Sequence, residues 1–158
     1  MRTKNKILFL LDLDHTLIYG SYATTETAPL LFQHNSFLKV YERPLARELV
    51  EQCKQSGDII VFTTALRNYA KTIGKELKIE PIVLLSRKNC KMVNGKHKKL
   101  IQQEWIINYN QIIIIDDSPN VWIDADSPKI KFLVPNEFRG DANDCGLVEI
   151  VEEIKTPF

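Results

Sequence analysis

Ile7-Leu8-Phe9-Leu10-Leu11-Asp12-Leu13-Asp14-His15-Thr16 is an unbroken apolar run that stops on two aspartates one residue apart. Apolar residues without polar alternation mark a strand buried on both faces, as in a parallel sheet. Similar runs recur at Ile59 to Phe62, Ile82 to Leu85, Ile112 to Ile115 and Ile130 to Val134. Leu45 to Gln55, Arg67 to Lys78 and Lys99 to Asn108, which lie between them, have helical character, and Leu147 to Lys155 reads as a closing helix against the sheet. This alternation predicts an α/β fold with a Rossmann-like parallel sheet flanked by helices. Residues 18–42 resist the pattern. Tyr19, Tyr22, Phe32, Phe37 and Tyr41 stand there among polar and threonine-rich residues, which predicts an early insertion of small strands with a local aromatic core.

The chain has 158 residues, 44% of them hydrophobic, enough for one continuous core, so residues 1–158 are read as a single domain carrying that insertion. Its 21 basic and 20 acidic side chains nearly cancel, which argues against a strong nucleic-acid or membrane-surface signal and requires any charged ligand to be recognised locally. Cys53, Cys90 and Cys145 are odd in number and far apart, so neither a disulfide framework nor a zinc cluster is implied. A reducing compartment is expected: cytoplasmic, or nuclear in a eukaryote. The basic opening Met1 to Lys6 followed by apolar residues resembles the start of a signal peptide. The apolar run falls short of the about seven residues of such a segment and the about twenty of a membrane span, so a soluble protein is expected.

Asp12 and Asp14, Thr63 and Thr64, and Asp116 and Asp117 each follow a predicted strand directly. In an open parallel sheet these carboxyl ends share one edge, where ligands bind. Four converging carboxylates repel one another, and a cation that seeks oxygen relieves the repulsion. Magnesium fits Asp12, Asp14, Asp116 and Asp117, whereas zinc would want histidine and cysteine at a metal-ligand spacing that His15, His34 and His97 do not show. With charge offset by the metal, an aspartate can attack phosphorus. Asp12 is assigned that role, and Asp14 that of general acid and base, worth about 100- to 10,000-fold. Thr63 and a lysine from Lys96 to Lys99 can supply hydrogen bonds and positive charge to the phosphoryl oxygens. Each piece has a plainer reading: aspartates and threonines cap helices and start turns, and a lysine-rich stretch is commonly a solvated loop. Their joint placement after strands favours catalysis.

In this order the residues resemble the haloacid dehalogenase superfamily, whose phosphatases carry Asp-x-Asp-x-Thr, then Thr, then Lys, then an acidic pair. Asp12, Asp14, Thr16, Thr63, Lys99, Asp116 and Asp117 fit that series. The nearer resemblance is to the small phosphatases of the RNA polymerase II carboxyl-terminal domain, the NLI-interacting-factor-like or FCP/SCP-like group. It rests on Asp12 to Leu17, Arg43-Pro44, Val61 to Ala65 with Tyr69-Ala70, Arg87 to Cys90, and Asp116 to Pro119. The resemblance implies Asp12 as nucleophile and Asp14 as acid and base, with the Asp14 backbone carbonyl offered to magnesium. It also implies Asp117 as a direct metal ligand beside Asp116, Thr63 holding the phosphoryl group, and Thr64 and Arg87 near the substrate. Counting forward from Arg87 selects Lys99 as the phosphate-contacting lysine, while counting from the following leucine selects Lys98. The short separation between Ala65 and Lys99 leaves no room for a large cap domain, so the site is expected to admit macromolecules. A phosphoserine or phosphothreonine protein phosphatase acting on a phosphorylated protein or peptide is the leading reading. The alternatives are a phosphatase for nucleic-acid ends or small metabolites, and a non-catalytic binding scaffold.

Overall fold

The fold is built around β1 (Ile7–Leu11), whose five side chains are all buried. It comes from a computed structural model that describes residues 6–23 and 25–156. All but the last residue of the basic opening lies outside them. β2 (Ile18–Ser21), β3 (Leu30–Gln33) and β4 (Lys39–Glu42) follow as a separate antiparallel sheet in the order β2-β4-β3, which realises the expected insertion. The chain then runs through α1 (Ala46–Ser56), β5 (Asp58–Phe62), α2 (Arg67–Glu76) and β6 (Val83–Leu85). After these come β7 (Lys91–Val93), β8 (Lys96–Leu100), α3 (Gln103–Asn108) and β9 (Gln111–Ile115). The last elements are β10 (Trp122–Ile123), β11 (Ile130–Leu133) and α4 (Val148–Lys155). The main sheet has the order β11-β9-β1-β5-β6, and every neighbouring pair is parallel.

Successive side chains of a strand face opposite ways, and the core divides accordingly. Ile7, Phe9 and Leu11 pack with Leu49 and Cys53 of α1, Ile73 of α2 and Val151 of α4. Leu8 and Leu10 pack on the other face with Trp105 of α3 and Trp122 of β10. Burying each such Leu, Ile or Phe side chain stabilises the fold by about 1.5 to 3 kcal/mol. This explains the continuous apolar runs: a strand covered on both faces has no position for a polar side chain. Register pairs Leu11 with Val61 on one side and Ile115 on the other. The three strand ends, with the polar residues that follow them, therefore stand level at one edge. Among the described residues no helix is long and apolar enough to cross a membrane.

One stretch departs from the sequence reading. Lys99 to Asn108 is not a single helix: Lys96–Leu100 is β8 and the helix starts only at Gln103. β7 and β8 form a hairpin whose two-residue turn, Asn94 and Gly95, has φ of 50° and 74°, the left-handed geometry that Asn-Gly favours in such turns. β8 also pairs in parallel with β10, Trp122 opposite Lys99. Nor is the lysine-rich segment a solvated loop throughout, since Lys99 is 1% exposed. Strand pairing placed that lysine, and charge in the sequence masked it.

Candidate active site

After β1 the chain turns sharply: the backbone N–H groups of Thr16, Leu17 and Ile18 all point to the Leu13 carbonyl at 2.9–3.2 Å, and His15 takes a left-handed φ of 65°. The turn presents Asp12 and Asp14 at the sheet edge. There Asp12, Asp14, His15, Thr64, Lys99, Asp116, Asp117, Ser118 and Val121 line a cavity of about 120 Å³. A cleft of about 320 Å³ near Trp105 and Tyr109 is larger but gathers no converging acids.

Lys99 is the electrostatic centre. Its Nζ donates to Asp12 Oδ1 at 2.8 Å and to Asp116 Oδ2 at 2.7 Å, and lies 5.3 Å from the Trp122 ring centre. Burial alone would lower its pKa, but Asp12 and Asp116 outweigh that effect and hold it above the usual lysine value. Asp116 is further fixed by the Trp122 indole N–H at 2.8 Å and the Ser118 backbone N–H at 2.9 Å. Thr16 joins the two acidic loops: its hydroxyl lies 2.8 Å from Asp12 Oδ2 and 3.0 Å from Asp117 Oδ1, and it accepts the Asp117 backbone N–H at 3.0 Å. Lys98, the alternative in the count, turns its Nζ to the Asn120 carbonyl.

Asp12, Asp116 and Asp117 each offer a carboxylate oxygen, and these atoms all lie within 4.8 Å of one another. An all-oxygen set of this size suits a hard divalent cation. Burial raises the pKa of Asp12 and Asp116, and the charge of Asp12 raises Asp116 further. A bound cation would favour the ionised forms of both.

Asp14 stands apart from that group. Its pKa is pushed up to about 6, first by burial and then by the charge of Asp12. Its Oδ1 accepts the Tyr69 hydroxyl of α2 at 3.2 Å. The Thr63 side chain is buried at the end of β5 and accepts the Ala65 backbone N–H at 3.1 Å. Thr64 rather than Thr63 faces the cavity. Arg87 is not among the lining residues; its Nε donates to the Thr64 carbonyl at 2.8 Å.

Two of the site's supports, Arg43 and Tyr69, stand in sequence pairs that by themselves assign them no role. Arg43, fully buried, donates from Nε and Nη2 to both oxygens of Asp144, at 2.7 and 3.1 Å, and from Nη1 to the Thr16 carbonyl at 3.1 Å. It ties the loop of residues 136–146 to the turn after β1, and its signal was the Arg43-Pro44 pair. Tyr69, whose signal was the Tyr69-Ala70 pair, is the other. His15, which shows no metal-ligand spacing in the sequence, lines the cavity with Nδ1 at 3.1 Å from the Phe138 carbonyl.

A parallel sheet with paired aspartates at the end of its central strand, facing a second acidic loop and a buried lysine, defines the haloacid dehalogenase class of fold. Within it, residues 7–156 match the family model described as NLI interacting factor-like phosphatase, and the chain belongs to that family of phosphatases. It is 28% identical over 130 residues to phosphatase PSR1 of Saccharomyces cerevisiae, covering 77% of this chain and 30% of that protein. It is 24% identical over 183 residues to an RNA polymerase II C-terminal domain phosphatase of Caenorhabditis elegans, covering 98% of this chain and 28% of that one. Among solved structures, Fcp1, described as an essential RNA polymerase II CTD phosphatase, superposes with a TM-score of 0.60 at 19% identity, over 96% of this chain and 50% of its own. The chain thus spans less than a third of the length of these two curated relatives.

Proposed function

We propose that this protein is a magnesium-dependent phosphatase that removes phosphate from phosphoserine or phosphothreonine in proteins through an aspartyl-phosphate on Asp12. The carrying observation is that Asp12 lies between a buried lysine and a second carboxyl, Asp14, whose pKa of about 6 suits a proton donor and acceptor near neutral pH. Asp12 attacks phosphorus, and the bond from phosphorus to the serine or threonine oxygen breaks as Asp14 gives that oxygen its proton. Asp14, now ionised, takes a proton from the water that attacks the acyl phosphate, and phosphate leaves with Asp12 regenerated. Lys99 and Thr64 hold the phosphoryl oxygens, Thr63 secures the loop that carries Thr64 through its bond from the Ala65 N–H, and Arg87 contacts the substrate at the rim. Magnesium would be held by Asp12, Asp116 and Asp117 and by the Asp14 backbone carbonyl, where it supplies charge neutralisation for the transferred group.

The segment between Ala65 and Lys99 is taken up by α2, β6 and the β7–β8 hairpin rather than by a separate cap domain, which favours a protein substrate over a small metabolite. The relatives described as carboxyl-terminal-domain phosphatases support the same choice. The exposed Lys88, Lys91 and Lys96, in the segment that leads to Lys99, favour a second reading, a nucleic-acid end as substrate. The test is hydrolysis of p-nitrophenyl phosphate with magnesium, with EDTA and in Asp12→Asn, followed by phosphopeptides, sugar phosphates and 5′-phosphorylated oligonucleotides. The proposal expects magnesium-dependent turnover lost in Asp12→Asn and a preference for phosphopeptides. Undiminished activity in EDTA, or a preference for another substrate class, contradicts it.

A further inference from the structure

Asp14 needs more than a suitable pKa, because a general acid works only if the oxygen that carries its proton faces the leaving group. Its carboxyl makes one side-chain hydrogen bond among the described residues, from the Tyr69 hydroxyl to Oδ1 at 3.2 Å. A tyrosine hydroxyl keeps its proton at neutral pH, so it donates to the carboxyl oxygen. With Oδ1 occupied as an acceptor, the acid proton of Asp14 is directed to Oδ2.

The Tyr69 ring is itself held by the insertion. The His34 ring meets it edge-on with centres 5.0 Å apart, and the Phe32 ring lies 6.5 Å away. Gly20 of β2 leaves room for the hydroxyl, since a Cβ there would stand 2.9 Å from Tyr69 Oη. The antiparallel sheet of residues 18–42 thereby reaches Asp14 through one tyrosine.

We infer that Tyr69, held in place by Gly20, Phe32 and His34, is a positioning residue that orients the Asp14 carboxyl for proton transfer to the leaving oxygen. The inference rests on the phosphatase reading above and adds a role for the insertion. Losing one such hydrogen bond is worth up to about tenfold in rate. The loss falls on substrates that need protonation: a serine alkoxide leaves poorly without a proton, whereas p-nitrophenolate leaves readily as the anion.

The test compares Tyr69→Phe with the wild type on a phosphoserine peptide and on p-nitrophenyl phosphate, reading kcat/KM, which reports formation of the phosphoenzyme. Tyr69→Phe keeps the ring and its contacts. The expected result is a fall of about tenfold for the phosphopeptide and less than about twofold for p-nitrophenyl phosphate, with KM for the peptide little changed. Gly20→Ala, which shifts the hydroxyl without entering the left-handed φ region, should show the same split. Equal losses on both substrates, or none, in variants of an active wild type would overturn the positioning role and leave the phosphatase reading intact. A wild type that turns over neither substrate would overturn both.

Discussion

Lys99→Met would separate the charge of this lysine from its bulk. The side chain is 1% exposed and bonds to Asp12 and Asp116, themselves 9% and 1% exposed at the side chain. Methionine fills much of the same space but leaves both acids facing each other without their cation. Removing one partner of a buried ion pair costs about 3–5 kcal/mol, because the remaining charge stays buried. For a chain of this size each kcal/mol moves the melting temperature by about 2–4 °C, so a drop of about 6–20 °C is expected in EDTA. The control is Lys98→Met, whose Nζ reaches only the exposed Asn120 carbonyl, and it should stay within about 0.5 kcal/mol of the wild type. The pH dependence has a definite sign. Asp12 and Asp116 already titrate above their unfolded values, and losing Lys99 raises them further. A raised carboxyl costs stability above its unfolded pKa and is relieved as pH falls through the folded pKa, so the deficit of Lys99→Met should shrink on acidification. A Lys99→Met melting temperature equal to that of Lys98→Met, or a deficit that grows toward acid pH, would refute the electrostatic account.

Asp14→Asn should stabilise the metal-free protein at pH 7 even as it removes the proposed acid and base. The Asp14 pKa is raised from 3.8 to about 6, and at about 1.36 kcal/mol per unit, discounted for partial exposure, the ionised carboxyl costs about 1–3 kcal/mol. Thermal melts in EDTA should show the gain fading as pH drops from about 6 toward 4, and a variant less stable than wild type at pH 7 counts against a strained Asp14. Gly146→Ala would place a Cβ 2.0 Å from Arg43 Nη2 and 2.1 Å from Asn136 Oδ1. Overpacking of this kind costs about 1–3 kcal/mol, read in urea unfolding, and an unchanged midpoint would show that the Arg43 anchor gives way freely.

The main sheet was legible because strands covered on both faces admit only apolar side chains, so β1 and most of β5 and β9 announce themselves, while β11, at the sheet edge, carries Lys131 and shows only through the apolar residues around it. The acidic edge was legible for a related reason: Asp12, Thr63 and Asp116 break those runs abruptly at matching ends. β7 and β8 were not, because their strands are lysine-rich and half-exposed, and only Asn94-Gly95 hinted at a hairpin. Residues that work across long separations in sequence were equally hidden. Arg43 meets Asp144 from 101 positions away and Tyr69 meets Asp14 from 55, and no local period encodes either contact. Lys99 and Lys98 look alike in sequence. Strand alternation decides which is buried.

The central claim is that Asp12 carries the phosphoryl group. The most direct measurement is to mix the protein with substrate and magnesium, quench in acid within the first turnovers, and map the phosphorylated peptide by mass spectrometry. The account predicts a hydroxylamine-sensitive acyl phosphate on the peptide containing Asp12, absent in Asp12→Asn and accumulating in Asp14→Asn when the leaving group needs no proton. Turnover with no covalent intermediate, or a phosphoryl group on any other residue, would contradict it.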